Sequence, residues 1–174
     1  SLIIYYIIRK MIEENKRVLL IVPTTSLVEQ MYKDFKDYGW EVDTNVQRKY
    51  YGYDIDENKP VVVSTWQSLA TFDKSFFEQF NCVIGDEAHL YKSKELQKIL
   101  GACVNAEYRI GTTGTLDDSK VHKLILEGLF GQVKYVVSTK DLMDKGQLAD
   151  LKIECVVLKY PKEECNEVKK LKFQ

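Results

Sequence analysis

Short runs of β-branched and aliphatic residues alternate along this chain with longer segments whose apolar residues recur every three to four positions. That alternation constrains the fold more than any other feature. "RVLLIVP" reads as a buried strand ended by Pro23. In the following "TTSLVEQMYKDFKDYGW", Leu27, Met31 and Phe35 share a helical face, Thr24 or Thr25 can cap the start, and Gly39 marks the stop. Ahead of them, "SLIIYYIIRKMIEENKR" is helix-like, apolar and ends in charge. "EVDTNV" reads as a weak strand, "RKYYGYDIDENK" as a polar loop, "PVVVST" as a strand, and "WQSLATFDKSFFEQF" as one or two short helices. A strand leads into Asp86; "SKELQKILGACV" is then a helix, "YRIGTT" a strand, and "SKVHKLILEGLFG" a helix closed by Gly131. "VKYVVS", "TKDLMDKG" and "LKIECVVLKYP" continue the pattern. Apolar strands separated by helices predict an α/β fold: a mostly parallel sheet with helices on both faces.

The length, 174 residues, suits one domain with a sizeable core, and 45% hydrophobic with 29% charged residues is ordinary for a soluble globular protein. A net charge of -1 supplies no global basic field, so any contact with nucleic acid has to come from a local face or from backbone amides. Cys82, Cys103, Cys155 and Cys165 show no C-x-x-C spacing and only two histidines occur, which suggests neither a zinc site nor a disulfide framework. A reducing cytoplasm is the natural compartment. The apolar start is too short and too soon charged to span a membrane or serve as a secretory signal. Ser1 is either native or a leftover of expression, and the first helix reads as one whose preceding loop is cut away.

The chemistry concentrates in "FNCVIGDEAHLY". A short apolar run delivers Asp86 and Glu87 to the carboxyl end of a strand, the edge where open α/β sheets bind ligands. On its own, an acidic pair of this kind is most simply a solvated turn. Its companions change that. "DEAH" resembles motif II of the superfamily 2 helicases, the Walker B element of a RecA-like domain. "PTTSLVEQ" from Pro23 to Gln30 is similar to motif Ia, "STWQSL" from Ser64 to Leu69 to motif Ib, and "GTTGT" from Gly111 to Thr115 to motif III. All stand in family order, each after a predicted strand. "LLIVPTTSL", "PVVVSTWQSL", "GDEAHL" and "LMDKGQLADLKI" resemble the phage UvsW-type group most closely. Gly85 and Leu116 depart from the wider pattern, where a bulkier apolar residue and a proline are common.

The resemblance implies a RecA-like (P-loop NTPase) domain that uses ATP and Mg2+. Asp86 would hold Mg2+, mostly through water, and Glu87 would orient the attacking water. His89 would hydrogen-bond toward Thr113 or Thr115 across Gly114 and couple nucleotide state to domain motion, the alternative being an ordinary surface histidine. Pro23, Thr24, Thr25, Trp66 and Gln67 would face one nucleic-acid strand through phosphate contacts that carry no base sequence. For Trp66, packing of its helix onto the sheet is favoured over base stacking. The implied partner is DNA, branched or single-stranded, in a bacterial or phage-infected cell.

No Gly-Lys pair occurs, so the G-x-x-x-x-G-K-[ST] loop is missing, and Ser1 falls where that loop's last hydroxyl would stand as a further Mg2+ ligand. The expectation is therefore a first motor domain over 1–160, truncated at its start, with 161–174 a linker toward a missing second RecA-like domain. A restriction-type translocase motor and a non-enzymatic RecA-like binding module are the alternatives.

Overall fold

The computed structural model describes residues 1–50, 58–91, 93–114, 120–134, 139–149 and 154–156. The chain divides into two compact units, Ser1–Val133 and Lys134–Gln174. The first closes before residue 160, the boundary read from the sequence, and 161–174 lie outside the described residues.

In the first unit the elements are α1 (Leu2–Glu13), β1 (Val18–Val22), α2 (Thr25–Asp37), α3 (Val42–Asn45), β2 (Val46–Lys49), β3 (Val61–Thr65), α4 (Trp66–Leu69), α5 (Lys74–Phe77), β4 (Cys82–Gly85), α6 (Lys94–Ala102), β5 (Tyr108–Gly111) and α7 (Lys120–Phe130). The strands form one sheet in the order β2-β3-β1-β4-β5. Every neighbouring pair is parallel, as the run of apolar strands predicts. The described part of the second unit contains α8 (Thr139–Asp144). The strands expected at "VKYVVS" and "LKIECVVLKYP" fall largely outside the described residues.

Period-two alternation sorts the sheet's side chains into two cores. Val18, Leu20, Val22, Val61, Val63 and Ile84 face Ile4, Ile8 and Met11 of α1 and Val28, Met31 and Phe35 of α2. Leu19, Ile21, Val62 and Val83 face Leu69, Phe77, Leu96, Ile99, Leu100 and Leu126 on the other side. Inner strands buried on both faces cannot alternate apolar with polar residues, which is why their sequences read as continuous apolar runs.

One strand is misplaced by the sequence reading. "EVDTNV" is not a strand: Thr44 Oγ1 and Asn45 Nδ2 donate to the Glu41 carbonyl at 3.0 and 2.8 Å and wind the segment into α3. The strand starts at Val46 and runs into the stretch read as polar loop. Polar residues fit there because β2 is an edge strand; Arg48 pairs with Glu29 of α2 at 2.6 Å and lies over the Tyr32 ring.

Burial raises the Cys82 thiol to about 12 and the Cys103 thiol to about 11, whereas Cys155 is exposed. A thiol reagent acts on thiolate. Peptide mapping after brief treatment of the native chain should find Cys155 modified and Cys82 and Cys103 spared until denaturant is added. Fast native labelling of Cys82 would contradict its place in the core.

Candidate active site

The carboxyl edge of the sheet is where the predicted site residues emerge. The connection after β1 covers one face and the connection after β4 covers the other, so the crevice outside these neighbouring strands is a topological switch point, a favoured ligand position. Asp86 stands there, at the end of an inner strand, its N–H donating to the Ile21 carbonyl of β1 at 2.9 Å.

Two loops are stitched together beside it. Thr112 N–H donates to the Gly85 carbonyl at 2.9 Å and Ala88 N–H to the Thr112 carbonyl at 2.8 Å, extending the β4–β5 pairing by one step beyond the strands. Thr112 Oγ1 then donates to Asp86 Oδ1 at 2.9 Å. The other carboxylate oxygen has no protein donor among the described residues. Thr112 was missed by the sequence reading, although its place inside "GTTGT" was the available signal.

Glu87 follows with φ 51° and ψ 52°, a left-handed conformation that costs a non-glycine residue about 1–3 kcal/mol. The turn breaks the strand at the residue needed and leads into a 3₁₀ turn over Ala88–Leu90. That turn brings His89 back: its Nδ1 is 3.0 Å from Thr113 Oγ1 and 3.3 Å from Glu87 Oε2. One ring nitrogen thus faces both the acidic loop and the threonine loop, the geometry anticipated for His89 with Thr113. Gly114 is exposed, and Thr115 and Leu116 lie outside the described residues.

The remaining candidates leave the same edge on the far side of Asp86. β1 pairs with β3, Val22 opposite Thr65, so Pro23, Thr24 and Thr25 emerge next to Trp66 and Gln67. Thr24, not Thr25, is the cap of α2, its hydroxyl accepting from Leu27 N–H at 3.3 Å. Thr65 caps α4 in the same way, accepting from Ser68 N–H at 3.4 Å. Thr24, Thr25 and Gln67 are exposed, whereas Trp66 is partly buried against the second core, as the packing alternative requires.

Ser1, expected beside Asp86, has its Oγ 2.8 Å from Tyr38 Oη. Tyr38 is the C-cap of α2, about 20 Å along the helix from the capping threonine at the sheet's carboxyl edge. The cause is aromatic packing: the Tyr5 ring sits 5.8, 5.2 and 6.0 Å from those of Phe35, Tyr38 and Trp40, and Tyr5 Oη donates to the Tyr38 carbonyl. These contacts hold the start of α1 against the far end of α2.

Gly85 also finds a reason. A Cβ at this position would meet the Tyr91 ring at 2.6 Å and its hydroxyl at 2.7 Å, and Phe130 at 3.0 Å. Gly111, its register partner on β5, would meet Phe130 and Ala88 at 3.0 Å. The two glycines form a flat seat for the Tyr91 and Phe130 rings, which meet edge-on at 5.1 Å. Overpacking of this kind costs about 1–3 kcal/mol, so Gly85→Ala should lower the unfolding free energy by that much and bring the denaturant midpoint down with it. An unchanged midpoint would show that Tyr91 yields freely.

A family model described as "Type III restriction enzyme, res subunit" matches residues 1–118. The ATP-dependent DNA helicase uvsW of Enterobacteria phage T4 is 35% identical over 162 residues, 91% of this chain and 32% of the relative. A crystal structure of the UvsW helicase from bacteriophage T4 superposes with a TM-score of 0.67 at 32% identity, covering 75% of this chain and 48% of that one. The Pyrococcus furiosus Hef helicase domain, 20% identical, shares the fold with a TM-score of 0.65 over 95% of this chain and 39% of its own. The chain therefore spans about a third of the curated relative it matches. With the motifs in order on one sheet edge and the family model matching most of its length, the chain belongs to the Type III restriction enzyme res-subunit family of superfamily 2 helicase domains, with a RecA-like fold.

Proposed function

We propose that this chain is part of the motor of an ATP-dependent DNA helicase that unwinds or branch-migrates DNA in repair and recombination. The reading rests above all on one observation: Asp86 and Glu87 leave an inner parallel strand at the switch point, tied to the threonine loop by Thr112 and faced by His89. The 35% identity to a helicase supports it.

The residues suit Mg2+ and ATP. Asp86 offers a hard oxygen with no protein donor, and among the described residues no cluster of His, Cys, Asp and Glu forms a cage for a metal. A single carboxylate suits an ion that keeps several waters and leans on substrate phosphates. Bound Mg2+–ATP supplies the transferable phosphoryl group and the charge that offsets its negative oxygens. The chain's own residues do the rest. Thr112 fixes one oxygen of Asp86 and leaves the other for a cation-bound water. Glu87 orients the attacking water and accepts its proton at the carboxylate. His89 links Glu87 to Thr113, so that a change at the nucleotide reaches the threonine loop. Thr24, Thr25 and Gln67 meet phosphates of one DNA strand without reading bases, and Trp66 braces that surface.

The wider assignment follows the same reading: 1–160 is the first motor domain, 161–174 leads toward a second RecA-like domain, and the protein works in the cytoplasm of a bacterial or phage-infected cell. Among the described residues no helix is long and apolar enough to cross a membrane. The family description favours a second reading, the motor of a restriction-type translocase.

The test is ATP hydrolysis by the complete protein with forked duplex, single-stranded DNA or RNA. DNA-stimulated turnover with strand separation is expected. Displacement of a third strand without separation would favour the translocase, and no turnover with any nucleic acid would favour a binding module.

A further inference from the structure

The DNA-contact side and the hydrolysis side of the sheet edge meet at one place. Pro23, Trp66, Asp86 and Leu90 line the same narrow cleft, about 10 Å³ in volume, whose remaining walls are apolar residues of the core. That is about the space of one water, so its walls have little room to move independently. On one side, Pro23 precedes Thr24 and Thr25, and Trp66 precedes Gln67 in α4, so each is a sequence neighbour of a residue read as a DNA contact. On the other side, Leu90 ends the 3₁₀ turn, its N–H donating to the Glu87 carbonyl at 2.9 Å. His89 of the same turn reaches Thr113 and Glu87, whereas Leu90 reaches the cleft. A turn closed by a single bond moves as one piece with Glu87, whose left-handed backbone is costly for a non-glycine residue and persists only while its surroundings impose it.

We propose that Leu90 is a positioning residue for Glu87, the piece through which DNA held at Thr24, Thr25 and Gln67 acts on hydrolysis. The inference rests on the helicase reading and adds the route by which DNA sets turnover. DNA can stimulate hydrolysis only by binding one arrangement of the site better than another. Phosphates drawn to Thr25 and Gln67 shift Pro23 and Trp66, the cleft closes on Leu90, and the turn carries the Glu87 carboxylate toward the attacking water. Such coupling needs contiguous packed side chains, and the cleft is where the two halves of the edge share a wall.

Two measurements on the complete protein separate this route from the helicase reading itself. In fluorine NMR of protein made with fluorinated tryptophan, the Trp66 resonance, identified by its loss in Trp66→Phe, should shift in Leu90→Ala with neither DNA nor nucleotide present. An unmoved Trp66 resonance overturns the inference whatever the enzyme does. In steady-state turnover, Leu90→Ala should keep the DNA-free rate and the DNA affinity of the wild type and lose about fivefold or more of the stimulation by DNA, the lower end of couplings between sites. Leu90→Met, which refills the cleft with a flexible side chain, should restore the stimulation. A merely structural role would lower the DNA-free rate as much as the stimulated one; that result, or full stimulation in Leu90→Ala, overturns the inference. A wild-type protein that hydrolyses ATP without responding to DNA overturns the coupling and leaves hydrolysis standing. A wild-type protein with no turnover fails the helicase reading, and the coupling with it, while the Trp66 resonance still decides whether Leu90 and Trp66 pack together.

Discussion

Glu87→Gln is expected to reduce ATP turnover of the complete protein by about 10²–10⁴-fold, the range supplied by a positioned general base, while nucleotide and DNA binding persist. The amide keeps the size and the left-handed backbone but cannot take a proton. The strain gives the same residue a second signature. Glycine adopts this conformation freely, so Glu87→Gly should raise folding stability by about 1 kcal/mol as it removes activity. A less stable Glu87→Gly protein would mean that the side chain, through His89 Nδ1 at 3.3 Å, holds the loop together, and that the strain is structural rather than functional.

Phe35→Ala should destabilise the chain by about 3–5 kcal/mol. Phe35 is fully buried, and its ring contacts Tyr5 at 5.8 Å and Trp40 at 5.9 Å, joining α1, α2 and the loop before α3. Neighbours on three elements cannot all move in to fill the gap. Loss of the Tyr5–Phe35 contact should also release the start of α1, seen as faster amide exchange at Tyr5 and Tyr6 than at Ile8 and Met11. A loss below about 1 kcal/mol in urea unfolding would place Phe35 in a core far looser than its burial indicates.

The sheet was readable in the sequence because its inner strands are buried on both faces, so "VLLIV", "VVVST" and "CVIG" carry no polar alternation to confuse them with surface elements. The acidic pair was readable because a strand end fixes where Asp86 must emerge. What escaped depended on partners distant in sequence. β2 was hidden because an edge strand can be polar, and its charge is met by Glu29, 19 residues earlier. The Ser1–Tyr38 contact escaped because rings on Tyr5, Phe35, Tyr38 and Trp40 hold the start of α1. Gly85 could be seen as a departure, but only the fold reveals that Tyr91 fills the space.

In the proposed function one sheet edge is divided, with β4 and β5 serving hydrolysis and β1 and β3 serving the DNA contact. The most direct measurement compares two variants of the complete protein, Glu87→Gln and Thr25→Ala/Gln67→Ala, for ATP turnover without DNA and for DNA affinity. Glu87→Gln should cut turnover at least about a hundredfold and keep DNA affinity, while the double variant should keep DNA-free turnover and bind DNA several-fold more weakly. Turnover close to wild type in Glu87→Gln, or DNA-free turnover lost equally in the double variant, would contradict the division.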